Sequence, residues 1–400
     1  MADREDYLWA GGGGWTPDPP PDPPAAPKPE PPRTKPTPAT PLPKLGPSPP
    51  QGKSGLVCGR FLPLHRGHTM LLEYARDSVE KLTVLVFAQE DDPIPAHARV
   101  AWLRAQMPSL EIDAVIGPRP DPEAPDFAAR FLAACRSWQP RGERLFFSSE
   151  SSGRVAAEAL GATLVYVDPA RVIVPISGTM LREELLTHYD YLASAARPCF
   201  VRRVVVLGAE STGKSTLCQQ LAEQYDTTFV PEYARTLAAL QGGRLERNDV
   251  EAAARGQIDA EEEAAAIASR LLFCDTDVLT MELWHERLFS TAASPWLRQQ
   301  AAARRYDLYL HCWTDVPFVG AAERDRPLER AAFARRLDDE LRRRGAAPLV
   351  TLDGTWSERL QKARAAIDAL LARGGFLAAR ADRIFQELRE AGAPHPSGTL

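Results

Sequence analysis

The sequence predicts an α/β protein built from two parallel-sheet sandwiches in tandem. Three observations predict it. Short apolar, β-branched runs alternate with stretches of helical period over most of the chain. Two of those runs end in glycine-containing turns that lead straight into a helix, one at Gly59–His68 and one at Gly208–Thr216. The second turn lies almost at the midpoint of 400 residues, so a domain-sized segment stands on each side of it.

Hydrophobic content of 44% and charged content of 25% are those of an ordinary globular protein. A net charge of −5 leaves no footprint for nucleic acid or an anionic membrane, so neither is expected as a partner. The six cysteines are scattered, without a Cys-x-x-Cys pair, and read as reduced core thiols. With no apolar run of membrane-spanning length and no signal-peptide core, the expected location is cytoplasmic. Composition leaves the oligomeric state open, a homo-oligomer included.

Residues 1–53 hold about half of the 36 prolines and cannot bury enough apolar surface to order themselves, so they are expected to be a disordered tail. Order is predicted from Gly55-Leu56-Val57-Cys58, a short strand. The helix after Gly59–His68 carries Leu71, Leu72, Ala75, Val79 and Leu82 on one face, and Leu82–Ala88 is the next strand. This βαβ unit puts His65 and His68 at the C-terminal edge of a parallel strand, where such sheets bind ligands. Gly67 would let the backbone approach a phosphate closely. Further strands are predicted at Leu145–Ser149 and Ala162–Val167, with a helix over Gly153–Gly161 between them. Ser177 and Thr179 then fit a helix N-cap, with Arg182 one turn on as a phosphate clamp.

Val201–Leu207, the glycine loop and Leu217–Ala222 form strand, loop and helix in the order a phosphate cradle needs. The loop fits Gly-x-x-x-x-Gly-Lys-Ser, so its N–H groups and Lys214 are expected to hold a nucleoside triphosphate, with Ser215 on Mg²⁺. Thr227–Val230 ends in Glu232 and Arg235, which suit a general base and a phosphate-holding cation, or else a plain buried ion pair. Helix Asp249–Ser269 reads as a mostly solvated face. The apolar strand Leu271–Asp277 closes on carboxylates, and Asp275 is expected to reach Mg²⁺. Asp307–Cys312 and Leu349–Gly354 are the last strands and Trp356–Leu371 the closing helix.

Gly-x-Phe-x-Pro-x-His-x-Gly-His at Gly59–His68, followed by Ile-Ser-x-Thr-x-x-Arg at Ile176–Arg182, resembles the HIGH-type nucleotidyltransferases. Those motifs alone leave pantetheine-phosphate, FMN and NMN adenylyltransferases and the cytidylyltransferases open. With a P-loop kinase behind them, the chain resembles the NadR-type bifunctional NMN adenylyltransferase/ribosylnicotinamide kinases over roughly Gly55 to Gly375.

The resemblance implies a Rossmann-like nucleotidyltransferase domain over 54–198, a P-loop kinase domain over 199–375, and a tail over 376–400 with one short helix. It implies ATP bound by Gly59, Arg60, Phe61, His65, His68, Ile176, Ser177, Thr179 and Arg182 in the first domain. In the second, ATP would meet Gly208, Glu210, Ser211, Thr212, Gly213, Lys214, Ser215, Thr216 and the lid's Arg324. Arg99 and Trp102 would lie at the NMN site, although Trp102 equally fits core packing, and Glu232, Arg235 and Trp284 at the ribosylnicotinamide site. The implied catalytic set is His65, His68 and Arg182, then Lys214, Glu232 and Asp275, with ATP as co-substrate and Mg²⁺ on Ser215 and Asp275. The lid departs from the family: Phe318 stands in place of tryptophan, and Gly320 and Ala321 in place of two aspartates. Two other readings stand beside this one: a transferase for another phosphorylated acceptor whose kinase half senses ATP, or an NAD-responsive regulator. Against the regulator, the proline-rich segment cannot form the helix-turn-helix some family members carry there.

Overall fold

The computed structural model describes residues 51–243, 245–316, 327–346 and 348–373. Residues 1–50, the lid positions Phe318, Gly320, Ala321 and Arg324, and the tail 376–400 lie outside the described residues. The chain divides into two compact units between Phe200 and Val201.

The first unit runs β1 (Lys53–Gly59), α1 (Arg66–Ser78), β2 (Lys81–Ala88), α2 (Ala96–Gln106), β3 (Glu111–Ile116), α3 (Phe127–Ala134), β4 (Glu143–Ser148), α4 (Gly153–Leu160), β5 (Thr163–Tyr166) and α5 (Gly178–Glu183). Its five strands are parallel in the order β3-β2-β1-β4-β5. Strands β1 and β2 read as unbroken apolar runs because helices cover both faces of a parallel sheet. Strand β3 did not announce itself, because Glu111 and Asp113 interrupt its apolar residues. It is an edge strand that buries Ile112 and Ala114 and turns Glu111 to solvent.

The second unit runs β6 (Arg202–Gly208), α6 (Lys214–Gln224), β7 (Thr228–Val230), α7 (Tyr233–Leu240), α8 (Asp249–Ile267), β8 (Leu271–Asp275), α9 (Val278–Phe289), α10 (Pro295–Ala303), β9 (Leu308–Cys312), α11 (Pro327–Arg343), β10 (Leu349–Leu352) and α12 (Trp356–Ala372). Its parallel order is β10-β9-β6-β8-β7. In both sheets the first strand is central and the connections reverse direction beside it, so its C-terminal end opens on the ligand crevice of an α/β sheet. Val204, Val206, Leu217, Leu221, Phe273, Leu310 and Ile367 share one core around β6.

Two expectations need correction here. The apolar run ending in carboxylates stops as a strand at Asp275; Thr276 takes a positive φ of 80°, and Asp277 caps α9 by accepting from Thr280 N at 2.8 Å. Helix α8 is also more than a solvated face. It buries Ala253, Ala254, Gln257 and Ala265, and with them Glu261, whose carboxylate accepts from Arg203 (3.1 Å), Arg304 (3.1 Å) and the Tyr306 hydroxyl (2.9 Å). An acidic helical repeat looks solvated until its basic partners from distant segments are known.

Candidate functional sites

In the first unit the turn after β1 is shaped by Phe61, whose φ of 49° bends the chain so that its wholly buried ring lies 4.9 Å from that of His68. His65 is the N-cap of α1, its Nδ1 accepting from His68 N at 3.4 Å. That bond leaves Nδ1 unprotonated and puts the proton of neutral His65 on Nε2. The two imidazoles stack, with centroids 3.6 Å apart and planes 23° apart. Burial first, and then the Arg171 charge, lowers His65 to about 3. His68 is held well below its usual value by burial, by His65 and by Arg171. Both are therefore neutral at physiological pH, and His68 Nδ1 is buried without a hydrogen-bond partner among the described residues. Arg171 owes its place to Asp168, whose carboxylate accepts from the N–H groups of Val172, Ile173 and Val174.

The glycine between the histidines also has a packing role. A Cβ on Gly67 would meet the His65 ring at 3.1 Å, so this glycine makes room for the imidazole. Buried Ile176 lies next to it. Of the two hydroxyls expected at the cap of α5, Ser177 is the cap, accepting from Met180 N at 3.2 Å. Thr179 instead accepts from Arg182 Nη2 at 3.0 Å, while Arg182 Nη1 donates to Leu62 O at 2.6 Å. Arg182 thus joins the two halves of the motif across 120 residues. Gly178 permits that contact, since a Cβ there would stand 2.9 Å from Leu62 O.

Arg60 and Arg99 meet in a second cluster, around a carboxylate that the sequence did not reveal. Asp92 is almost fully buried and holds two arginines, Arg60 and Arg99, with Arg99 Nη2 at 2.7 Å. Burial opposes its ionisation, but the Gln89 N–H, Arg99 and Arg60 together lower it. Arg99 is wholly enclosed and also donates to Arg60 O (2.8 Å) and Phe87 O (3.2 Å), so its contacts fix the β1 turn. Trp102 is buried against Phe200, ring centroids 5.8 Å apart. The open hollow beside this cluster is lined by Arg60, Gln89 and Arg119, and it adjoins a cavity lined by Cys58, Gly59, Phe127 and Ser148. Arg119 sits in a Gly/Pro loop after β3; lying just past a strand's C-terminal end was its only signal.

In the second unit the loop Gly208–Gly213 joins β6 to α6, with positive φ at Gly208 (144°), Ser211 (55°) and Gly213 (83°). Such alternation turns successive N–H groups into an anion-binding concavity. A Cβ on Gly208 would stand 2.4 Å from Cys312 O, so only glycine fits. Lys214 is buried, with Nζ donating to Ala209 O at 2.8 Å. Ser215 follows in the first turn of α6, and Thr216 points outward. Asp275 is buried on the neighbouring strand, and its Oδ1 has no hydrogen-bond partner among the described residues. A buried orphan carboxylate oxygen beside a phosphate cradle suits Mg²⁺, which takes few protein ligands and completes its shell with phosphate and water.

Glu232 precedes α7 and pairs with Arg235 at 2.6 Å. Burial raises the Glu232 carboxyl, against the opposing charges of Arg235 and Lys214. The influence of Lys214 and Asp275 on it puts all four groups in one electrostatic cluster. Two residues the sequence reading missed hold this corner: Gln257 accepts from Tyr233 N at 2.9 Å, and Gly256 leaves space for the Tyr233 ring. Trp284 on α9 stacks on Phe333 of α11 at 4.3 Å and 27°, with Arg287 at 4.8 Å from its ring. Arg330 of α11 donates to the loop carbonyls of Glu210 and Ser211.

Fold and sites together define a Rossmann-like unit of the HIGH type followed by a P-loop unit. Residues 203–359 match the family model of an AAA domain. The chain is 29% identical over 290 residues to the trifunctional NAD biosynthesis/regulator protein NadR of Escherichia coli (strain K12), covering 66% of this chain and 70% of that protein. It is 28% identical over 319 residues to the protein of the same name from Salmonella typhimurium (strain LT2), covering 73% and 77%. A crystal structure of NadR in complex with NAD and AMP-PNP shares the fold at a TM-score of 0.62 and 23% identity, over 80% of this chain and 96% of that one. Another, in complex with NR, gives 0.61 and 21%, over 81% and 98%. These likenesses support a NadR-type protein. Among the described residues no helix is long and apolar enough to cross a membrane.

Proposed function

We propose that the chain is an enzyme of NAD biosynthesis with two ATP-dependent activities, one in each unit. The unit from Val201 phosphorylates the 5′-hydroxyl of ribosylnicotinamide, acting as a ribosylnicotinamide kinase. The unit up to Phe200 acts as an NMN adenylyltransferase and transfers the adenylyl group of a second ATP to NMN, giving NAD and pyrophosphate. The observation that carries this reading is the presence of two independent phosphate-binding geometries, each at the C-terminal end of the central strand of its own sheet. Two curated relatives named for NAD biosynthesis support the choice of pathway.

In adenylyl transfer the NMN phosphate oxygen attacks the α-phosphorus of ATP, and the bond to the bridging oxygen of pyrophosphate breaks. His65 and His68, held neutral, offer N–H donors to phosphate without needing to gain or lose a proton. Arg182 supplies the charge for the leaving pyrophosphate, and the Arg60–Arg119 hollow suits the acceptor phosphate. In phosphorylation, Glu232 takes the hydroxyl proton as the oxygen attacks the γ-phosphorus and ADP leaves, while Lys214 and Arg235 hold the phosphoryl oxygens. Mg²⁺ would be held by Ser215 and Asp275, and when bound it neutralises charge on the β- and γ-phosphates.

The test is an acceptor screen of the intact protein with ATP and Mg²⁺ against NMN, phosphopantetheine and FMN, with ribosylnicotinamide in parallel. NAD and pyrophosphate from NMN, and NMN from ribosylnicotinamide, are the expected products. Turnover of another acceptor with none of NMN would overturn the substrate assignment.

A further inference from the structure

The P-loop is held from behind by a side chain outside its motif. Arg359, in the first turn of α12, is wholly buried, and its guanidinium reaches three separate segments. Nη1 donates to Thr212 O (3.2 Å), Nη2 to Trp313 O (3.1 Å) and Nε to Gly354 O (3.0 Å), and Asp315 completes the set as its ion-pair partner. One turn earlier Trp356 packs on the same loop, its ring 2.6 Å from where a Cβ on Gly213 would be. The start of α12 is fixed by a reciprocal cap between Thr355 and Glu358.

The carbonyls of the loop are occupied in succession. Ala209 O accepts from Lys214 and from the Thr212 hydroxyl, Glu210 O and Ser211 O accept from Arg330, and Thr212 O accepts from Arg359. In a planar trans peptide the N–H of the next residue points opposite to the carbonyl. Holding these oxygens therefore turns the N–H groups of Glu210, Ser211, Thr212 and Gly213 away from the cations that hold them.

We propose that Arg359 is a positioning residue for the phosphate site: it anchors the Thr212–Gly213 peptide so that the Gly213 N–H is aimed before the triphosphate arrives. Peptide orientation is otherwise free to relax in a glycine-flanked loop, and pre-orientation lowers the cost of ordering on binding. Lysine cannot replace it, because an ammonium lacks the planar fork that reaches Gly354, Thr212 and Trp313 together. The inference rests on the reading of the loop as a triphosphate site.

The experiment uses the full chain as wild type, Arg359→Ala and Arg359→Lys, with inorganic tripolyphosphate and ATP as probes in calorimetric titrations. Arg359→Ala is expected to lose about tenfold or more in tripolyphosphate affinity, the effect of losing a charged hydrogen bond. Arg359→Lys should recover little of it, whereas guanidinium ion at non-denaturing concentration should restore Arg359→Ala toward wild type. A merely structural role would lower the thermal midpoint without guanidinium-dependent recovery of affinity. Wild-type affinity in Arg359→Lys, the variant that keeps the charge and tolerates folding best, overturns the inference. Failure of wild type itself to bind either probe removes the triphosphate reading, which is a separate result.

Discussion

Replacing Gly178 with alanine separates the geometric account of the first site from a propensity account. Gly178 is the first residue of α5, and alanine is preferred over glycine in helices by about 1 kcal/mol, so propensity alone predicts a slight gain in stability. The geometry predicts lost activity. The new Cβ would stand 2.9 Å from Leu62 O, and ordinary contact begins at 3.4 Å, so α5 must retreat by about 0.5 Å (3.4 − 2.9). The same oxygen accepts from Arg182 at 2.6 Å, so a retreat of that size lengthens the bond to about 3.1 Å, still a hydrogen bond, and carries the guanidinium off its place by the same amount. A misplacement of about 1 Å costs on the order of 10²-fold in rate, so half of that costs about tenfold. The assay is kcat/KM for NAD formation from NMN and ATP, with phosphorylation of ribosylnicotinamide measured in the same preparation. A tenfold loss in the first with the second unchanged is expected. Adenylyl transfer within twofold of wild type would refute the coupling of α5 to the β1 turn.

Three further outcomes follow from buried charges in the second unit. Burial raises Asp277 from 3.8 to about 6, so its protonation favours the folded state; the contribution is complete below about pH 4 and is lost as pH rises through about 6. Asp277→Asn keeps the cap and should stabilise the unit by up to about 3 kcal/mol at pH 7 and by little at pH 4, read from urea midpoints; equal effects at both pH values would contradict this. Glu261→Ala leaves Arg203 and Arg304 only the part-exposed Glu262 as a carboxylate partner and should cost about 3 kcal/mol, the low end for a broken buried pair, so a loss under about 1 kcal/mol in urea would count against a buried network. With Glu232 raised by burial, the acid limb of the phosphorylation profile should lie above pH 4.5 and disappear in the residual activity of Glu232→Gln; a wild-type profile flat down to 4.5 would exclude Glu232 as the base.

The two strand–turn–helix units were legible because a central parallel strand is apolar on both faces and the phosphate turns need glycine at fixed spacing. Gly208 and Gly213 show that constraint directly in positive φ. Strand β3 was less visible, since an edge strand keeps charge on its open side. Residues whose roles depend on partners far along the chain left no local signal. Asp92 gathers Arg60 and Arg99, Glu261 gathers Arg203 and Arg304, and Arg359 reaches back 147 residues to Thr212. Gly67 was legible as a glycine in the turn, but its packing against the His65 ring is a contact made only once α1 turns. Likewise Arg99, which sequence resemblance associates with substrate, spends its hydrogen bonds on Asp92 and two backbone carbonyls.

The central claim is that two separate sites in one chain carry consecutive reactions, and a crossed assay of two variants tests it most directly. Lys214→Ala and His68→Ala are each measured for NMN formation from ribosylnicotinamide and for NAD formation from NMN. Lys214→Ala should abolish the first reaction and spare the second. His68→Ala should spare the first and slow the second by about 10²–10³-fold, as loss of a transition-state donor does. If Lys214→Ala, still folded, loses both reactions, or if His68→Ala makes NAD at the wild-type rate, the two-site account is wrong.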